Sequence, residues 1–298
     1  IAETTGSCKE GMDLSFKKTW GYQALQITLA NTEEVLFQDL RPGSRPSHEG
    51  AADRLDESVT LLRRAGFRSI TLRGDTDFSQ TKYLDAWDAD GVELVFGYQA
   101  APNLDEKADA LLYNLRLGEE AVAEFEYKPG ACKRPYRMVV IRKTITHERG
   151  QKLLYTETRY LFYITNKTSA AAKDVVEMAN QRCNQERTIG ELKSGVSALN
   201  MPLGDLHSNW AYMIIGTLAW NLSRWIGLIL PAKGRWAARR LEERNKVRGM
   251  RFRTFVLALM LIPAQVTDTA RRRVVRVLDW SPHRHVFFRA LDSVRAIA

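Results

Sequence analysis

Residues 180–193 read Asn180-Gln181-Arg182-Cys183-Asn184-Gln185-Glu186-Arg187-Thr188-Ile189-Gly190-Glu191-Leu192-Lys193. At about 100° of helix per residue, Glu186 lies about 40° around from Arg182 and Lys193 returns to about 20° from it. A helix through this stretch would therefore carry Arg182, Glu186 and Lys193 on one face, with Glu191 on another. A carboxylate between two cations has two readings. It can be an i,i+4 pair on a solvated stripe. It can also be one ligand of a hard divalent cation, with Arg and Lys placed to grip phosphate oxygens, which is the equipment of phosphodiester chemistry. The face alone leaves both open.

Upstream, Leu72-Arg73-Gly74-Asp75-Thr76-Asp77-Phe78 follows a strand expected at 69–72. It sets an acid at the C-terminal end of a strand, where open α/β sheets bind ligands. If the strand continues, Asp75 and Asp77 point to the same side; alternatively Thr76 or Asp77 caps the next helix.

Around these two stretches the periodicity predicts an antiparallel hairpin from 22–29 and 35–37, then a Pro/Gly loop at 41–47. Ser47 would cap a helix from 48 to 65 that stops at Gly66. Strand 69–72, helix 80–88 and strand 92–98 imply a crossover and a parallel pair. A helix is expected from Pro102 to about 115, and two alternating, Val/Ile/Tyr/Thr-rich strands at 136–146 and 152–165. From 169 the chain reads as helical: a long segment to 199, then 210–230 and 250–261. A strand at 273–278 and a last amphipathic helix end it. No internal repeat occurs.

The 298 residues, 45% apolar and 27% charged, exclude a disordered chain, a collagen and a disulfide scaffold. Cys8, Cys132 and Cys183 stand far apart without a C-x-x-C pattern, which suits a reducing compartment. Residues 210–230 are mostly apolar, but Arg224 interrupts them and the uncharged run is shorter than a bilayer requires, so a buried core helix is expected. The net charge of +9 is unevenly spread: residues 1–230 sum to −2 and residues 231–298 to +11. This basic block has aromatics interleaved, as in Arg235-Trp236 and Arg251-Phe252-Arg253, which suits a polyanion such as nucleic acid. A solvated helical surface would look the same. Trp20, Trp87, Trp210, Trp220 and Trp225 read as core residues, whereas Trp236 and Trp280 sit among arginines. The five histidines show no zinc-ligand spacing, and neither a nucleophile–His arrangement nor a phosphate-binding G-x-x-x-x-G-K-[ST] loop is present.

The spacing Arg182-(3)-Glu186-(6)-Lys193, followed by Ser194-Gly195-Val196-Ser197-Ala198-Leu199, resembles the Y-(2)-R-(3)-E-(6)-K signature of DDE transposases from bacterial insertion sequences. Leu72–Phe78 is similar to the second-aspartate motif of that family, and Arg41-Pro42-Gly43-Ser44-Arg45-Pro46-Ser47-His48-Glu49-Gly50 to its upstream loop. The similarity continues through Ser208-Asn209-Trp210-Ala211-Tyr212 and Arg251-Phe252-Arg253-Thr254-Phe255. The resemblance implies an α/β protein: a ribonuclease-H-like core with a β-rich insertion and a helical, basic C-terminal part. On that reading residues 1–97 begin the core, 98–165 form the insertion, 166–205 carry the catalytic-glutamate helix and 206–298 the basic region.

The implied activity is metal-dependent strand cleavage and strand transfer at the ends of a mobile element. Asp75 would be the second aspartate and Glu186 the glutamate, both ligands of Mg²⁺ or Mn²⁺, with two ions expected. Arg182, Lys193, Arg251 and Arg253 would contact DNA. Implied partners are the terminal inverted repeats, the target DNA and a second copy in a synaptic homodimer, with no membrane. The implied location is the bacterial cytoplasm, at the nucleoid. Two departures stand out. The signature tyrosine is replaced by Ala179, and the family's first aspartate would lie upstream of Ile1, since Asp13 and Asp39 do not fall where the order of elements requires it. The chain is thus expected to lack the first core strand, and a non-catalytic DNA-binding remnant of a transposase is the alternative function.

Overall fold

A computed structural model describes residues 1–4, 8–112, 121–149, 152–181, 183–278 and 282–297. The chain is mixed α/β and divides into two compact units, Ile1–Ser44 with Asn184–Ala298, and Arg45–Cys183.

The first unit opens with β1 (Ala2–Glu3), β2 (Asp13–Leu14), β3 (Trp20–Leu29) and β4 (Glu34–Pro42). β3 and β4 form the predicted antiparallel hairpin, with Tyr22 opposite Pro42 and a bulge between Ile27 and Thr28. β1 and β2 each pair antiparallel with the start of β3. The second strand is longer than its apolar run and takes in Asp39 and the buried Gln38, whose side-chain carbonyl accepts from the Thr217 hydroxyl.

The second unit contains α1 (Ala51–Arg64), β5 (Thr71–Gly74), α2 (Leu84–Ala89), β6 (Glu93–Tyr98), α3 (Pro102–Leu112), β7 (Ala121–Tyr127), β8 (Tyr136–Arg149), β9 (Lys152–Thr165) and α4 (Ala172–Asn180). Its five-stranded sheet runs β5-β6-β9-β8-β7. β5 and β6 are the expected parallel pair, and the remaining neighbours are antiparallel. Val95 and Val139 on the sheet pack with Val175 and Ala179 of α4, and the ring of Trp87 on α2 stacks on Phe96. The Trp87 indole donates to Asp56 on α1 at 2.6 Å. α1 begins after Gly50, which takes a left-handed conformation (φ 73°) with no side-chain cap, so the expected Ser47 cap is not used. Glycine adopts that conformation without a Cβ penalty.

The long helix expected over 169–199 is broken. α4 ends at Asn180, α5 (Cys183–Gly190) follows, and a single π-helical stretch, Glu191–Gly195, ends the run. α6 (Leu206–Ile229), α7 (Ala237–Arg248), α8 (Phe252–Phe255) with a second π-stretch (Val256–Met260), β10 (Ala264–Thr269), β11 (Arg272–Val277) and α9 (Arg284–Arg295) complete the chain. β10, unannounced by its mixed sequence Ala-Gln-Val-Thr-Asp-Thr, pairs antiparallel with β11.

α6 lies along β4 and satisfies the backbone of that strand, as a covered sheet edge requires. The Asn221 amide accepts from Val35 N–H and donates to Val35 C=O, both at 2.9 Å, and the Trp210 indole donates to Gln38 C=O at 2.9 Å. Tyr22, Val35, Leu40, Leu192, Met213 and Trp220 form the core here. Only one face of α6 is buried, which corrects the expectation of a fully buried helix; among the described residues no helix is long and apolar enough to cross a membrane. Trp20 and Trp225 are likewise exposed rather than core residues. Leu230, Val247, Met250, Phe255 and Val286 make a second cluster among α7, α8 and α9.

Candidate catalytic site

Asp75 stands immediately after β5, whose Leu72 is buried. The strand ends at Gly74, so Asp75 and Asp77 do not share a strand face. Instead the Asp75 carboxylate accepts from the backbone N–H of Asp77 at 3.2 Å and caps the 3₁₀ turn Thr76–Phe78, whose Phe78 N–H donates to Asp75 C=O at 3.1 Å. The next strand comes very close. A Cβ added at Gly97 on β6 would lie 2.9 Å from Thr76 N and 3.2 Å from the Asp75 carbonyl carbon. Gly97 is therefore the residue that lets the turn settle against the sheet. Arg73 secures the same strand end from the other side: its guanidinium donates to Met178 C=O at 2.8 Å, at the end of α4, and burial lowers its pKa. Sequence reading missed both residues, although a glycine inside an apolar strand signals a close backbone approach.

Glu186 is exposed on α5, and its neighbours fix the helix. Gln185 donates to Gln26 C=O on β3 at 3.2 Å. Arg187 pairs with Glu33 at 3.4 Å and donates to Gly249 C=O at 3.1 Å. Glu33, in the turn between β3 and β4 with φ 62°, also pairs at 3.4 Å with Arg224. Arg224 is 1% exposed. It lies over the Trp220 ring at 4.1 Å, donates to Met250 C=O at 2.7 Å and bonds Arg248 C=O. Burial lowers its pKa, while Glu33 opposes that shift. The lone charge inside the apolar 210–230 segment was the sequence signal for this network, because a buried cation must be paired.

Lys193 is exposed on the π-stretch, where ideal α-helical arithmetic no longer places it relative to Glu186. Arg182 lies outside the described residues. The Glu191 carboxylate accepts from Phe252 N–H at 2.9 Å and so draws the Arg251-Phe252-Arg253 segment onto the π-stretch that carries Lys193. Arg251 and Arg253 are both exposed there. Arg187, Gly190, Glu191, Ser194, Gly249 and Arg251 line a cleft of about 400 Å³. The structure thus brings Lys193, Arg251 and Arg253 into one region of the first unit, with Glu186 on the adjoining helix. Asp75 belongs to the second unit. Farther along the basic region, the Arg235 guanidinium lies 5.4 Å from the centre of the exposed Trp236 ring, whereas Trp280 is outside the described residues.

Carboxylates are the right donors for a hard divalent cation, and Asp75 and Glu186 fit it in kind. Among the described residues no three His, Cys, Asp or Glu side chains converge as a metal-holding group. Asp13, on β2, accepts from Leu14 N–H at 2.7 Å; the Ser44 hydroxyl, then this amide, hold its carboxyl below the ordinary range.

The family described as transposase DDE domain, group 1, matches residues 3–298. No curated protein matches the chain. The family match covers nearly the whole length: the chain belongs to the DDE transposases.

Proposed function

We propose that this chain is the catalytic region of a DNA transposase of the Y-(2)-R-(3)-E-(6)-K branch, built on a ribonuclease-H-like core with a β-rich insertion and a basic C-terminal part. It cleaves and joins strands at the ends of an insertion sequence. The observation that carries the reading is the placement of Asp75, the family's second aspartate, at the C-terminal end of β5 in a parallel pair, where α/β sheets present ligand-binding groups. Asp75 and Glu186 would hold Mg²⁺ or Mn²⁺, which when bound activates the attacking oxygen and stabilises the leaving one in an in-line displacement.

The protein's own share is positioning. Arg182, Lys193, Arg251 and Arg253 bind DNA phosphates, and the exposure of Lys193, Arg251 and Arg253 in the first unit supports a backbone path there. A homodimer would engage two transposon ends. The cleavage test uses the protein as its gene encodes it.

The test compares Mg²⁺-dependent cleavage of DNA with and without terminal inverted repeats. Cleavage confined to the ends, lost in Asp75→Asn and in Glu186→Gln while gel-shift binding persists, is the expected result. Cutting without end preference would indicate a nuclease of the same fold. Binding with no cleavage would leave the non-catalytic remnant.

A further inference from the structure

α6 presents two unlike faces. Asn209, Met213, Thr217, Trp220 and Arg224 are buried. The opposite face exposes Ala211, Ile214, Leu218, Leu222 and Trp225 in one stripe, flanked by Ile215, which is 69% exposed. Between Leu206 and Ser223 the helix has no Lys, Arg, Asp or Glu, and its one charged residue of those types, Arg224, is turned inward. A contiguous apolar stripe of this kind marks an interaction surface.

We propose that this stripe is the contact between two copies of the chain, with the two α6 helices packed antiparallel about a two-fold axis at Leu218. Three observations select a second copy. First, the spacing of the stripe is 3, 4, 4, 3 residues, which reads the same in both directions about Leu218. A two-fold interface uses one patch against itself and requires such self-complementarity. Second, the sizes match under that operation: the largest side chain, Trp225, meets the smallest, Ala211, while Leu222 meets Ile214 and Leu218 meets its twin. The Trp225 indole donates to the Glu34 carboxylate, which holds the ring in place on its own copy. Third, the ends are complementary in charge. Asp205 caps the start of α6, and Lys233 and Arg235 follow its end, so antiparallel pairing sets acid against base and opposes the helix dipoles. Two such stripes offer on the order of 1,000 Å², the size from which a specific interface becomes stable.

This contact stands on the seam alone and needs no DNA, so its test is separate from that of the transposase reading. Sedimentation equilibrium of the full chain without DNA is expected to show a dimer. Leu218→Glu, which places like charges face to face on the axis, is expected to weaken association by roughly a hundredfold or more, with circular dichroism unchanged because Leu218 is half-exposed. In a Cys8→Ser background, Leu218→Cys is expected to cross-link to its twin under diamide, whereas Leu222→Cys, opposite Ile214, is not. A chain that stays monomeric overturns the proposal. So does a dimer that tolerates Leu218→Glu, or one that cross-links as readily through Leu222→Cys.

Discussion

The two carboxylates proposed as metal ligands are held by different means. Asp75 is placed by backbone: a strand end, its own 3₁₀ turn and the bare backbone of Gly97 beneath it. Glu186 is placed by side chains: Gln185 and Arg187 tie its helix to the β3–β4 hairpin, and Arg224 fixes Glu33 from inside the core. A backbone-held acid tolerates changes to neighbouring side chains but not added volume. A side-chain-held acid tolerates volume but not loss of a charge partner.

The comparison breaks most sharply at Arg224. Arg224→Met should destabilise the protein by about 3–5 kcal/mol, since it leaves the Met250 and Arg248 carbonyls and Glu33 without their buried partner; denaturant unfolding measures it. Gly97→Ala is the counterpart on the Asp75 side. Its Cβ meets backbone rather than a flexible side chain, so a cost of about 1–3 kcal/mol is expected. The variant should lose cleavage beyond what its stability explains, whereas a variant that cleaves normally would show that the turn is not the constraint. Trp87→Phe keeps the stacking on Phe96 but removes the bond to Asp56. It should cost about 1 kcal/mol without touching either carboxylate.

Smaller effects sharpen the contrast between core and basic region. Lys193→Ala and Arg251→Ala should each reduce the slope of log binding constant against log salt by about 1, with little change in unfolding. The smallest effect is one of pH. Burial pushes the Glu243 carboxyl up, but the bond from His285 and the charges of Arg289, His285 and Arg239 outweigh it and hold it below its ordinary 4.5. A carboxyl depressed in the folded state contributes stability above the unfolded value and loses it as pH falls through the folded one. The wild-type advantage over Glu243→Gln should therefore shrink as pH falls below about 4.5, read from melting temperature against pH.

Much of the local architecture was legible. The β3–β4 hairpin, the parallel β5–β6 pair and the two long strands β8 and β9 follow from alternation and turn residues, because each depends on neighbours in sequence. The helical run after residue 169 was not, since the π-stretch that ends it is fixed by contacts with distant residues, among them the Phe252 N–H on Glu191. The Ser47 cap failed for a similar reason: Gly50, three residues on, supplies the left-handed entry to α1.

The sequence by itself determined the family and the residues proposed for its site, since the Asp75 and Glu186 motifs are runs of adjacent residues whose chemistry is local. Only the tertiary structure decided which residues hold them. Glu33, Gly97 and Arg224 act on groups far away in the chain, and nothing in a one-dimensional pattern records which distant backbone carbonyl a buried guanidinium must reach. The same holds for α6. Its composition announces burial, but only the packing against β4 shows that half of the helix faces inward and half remains open.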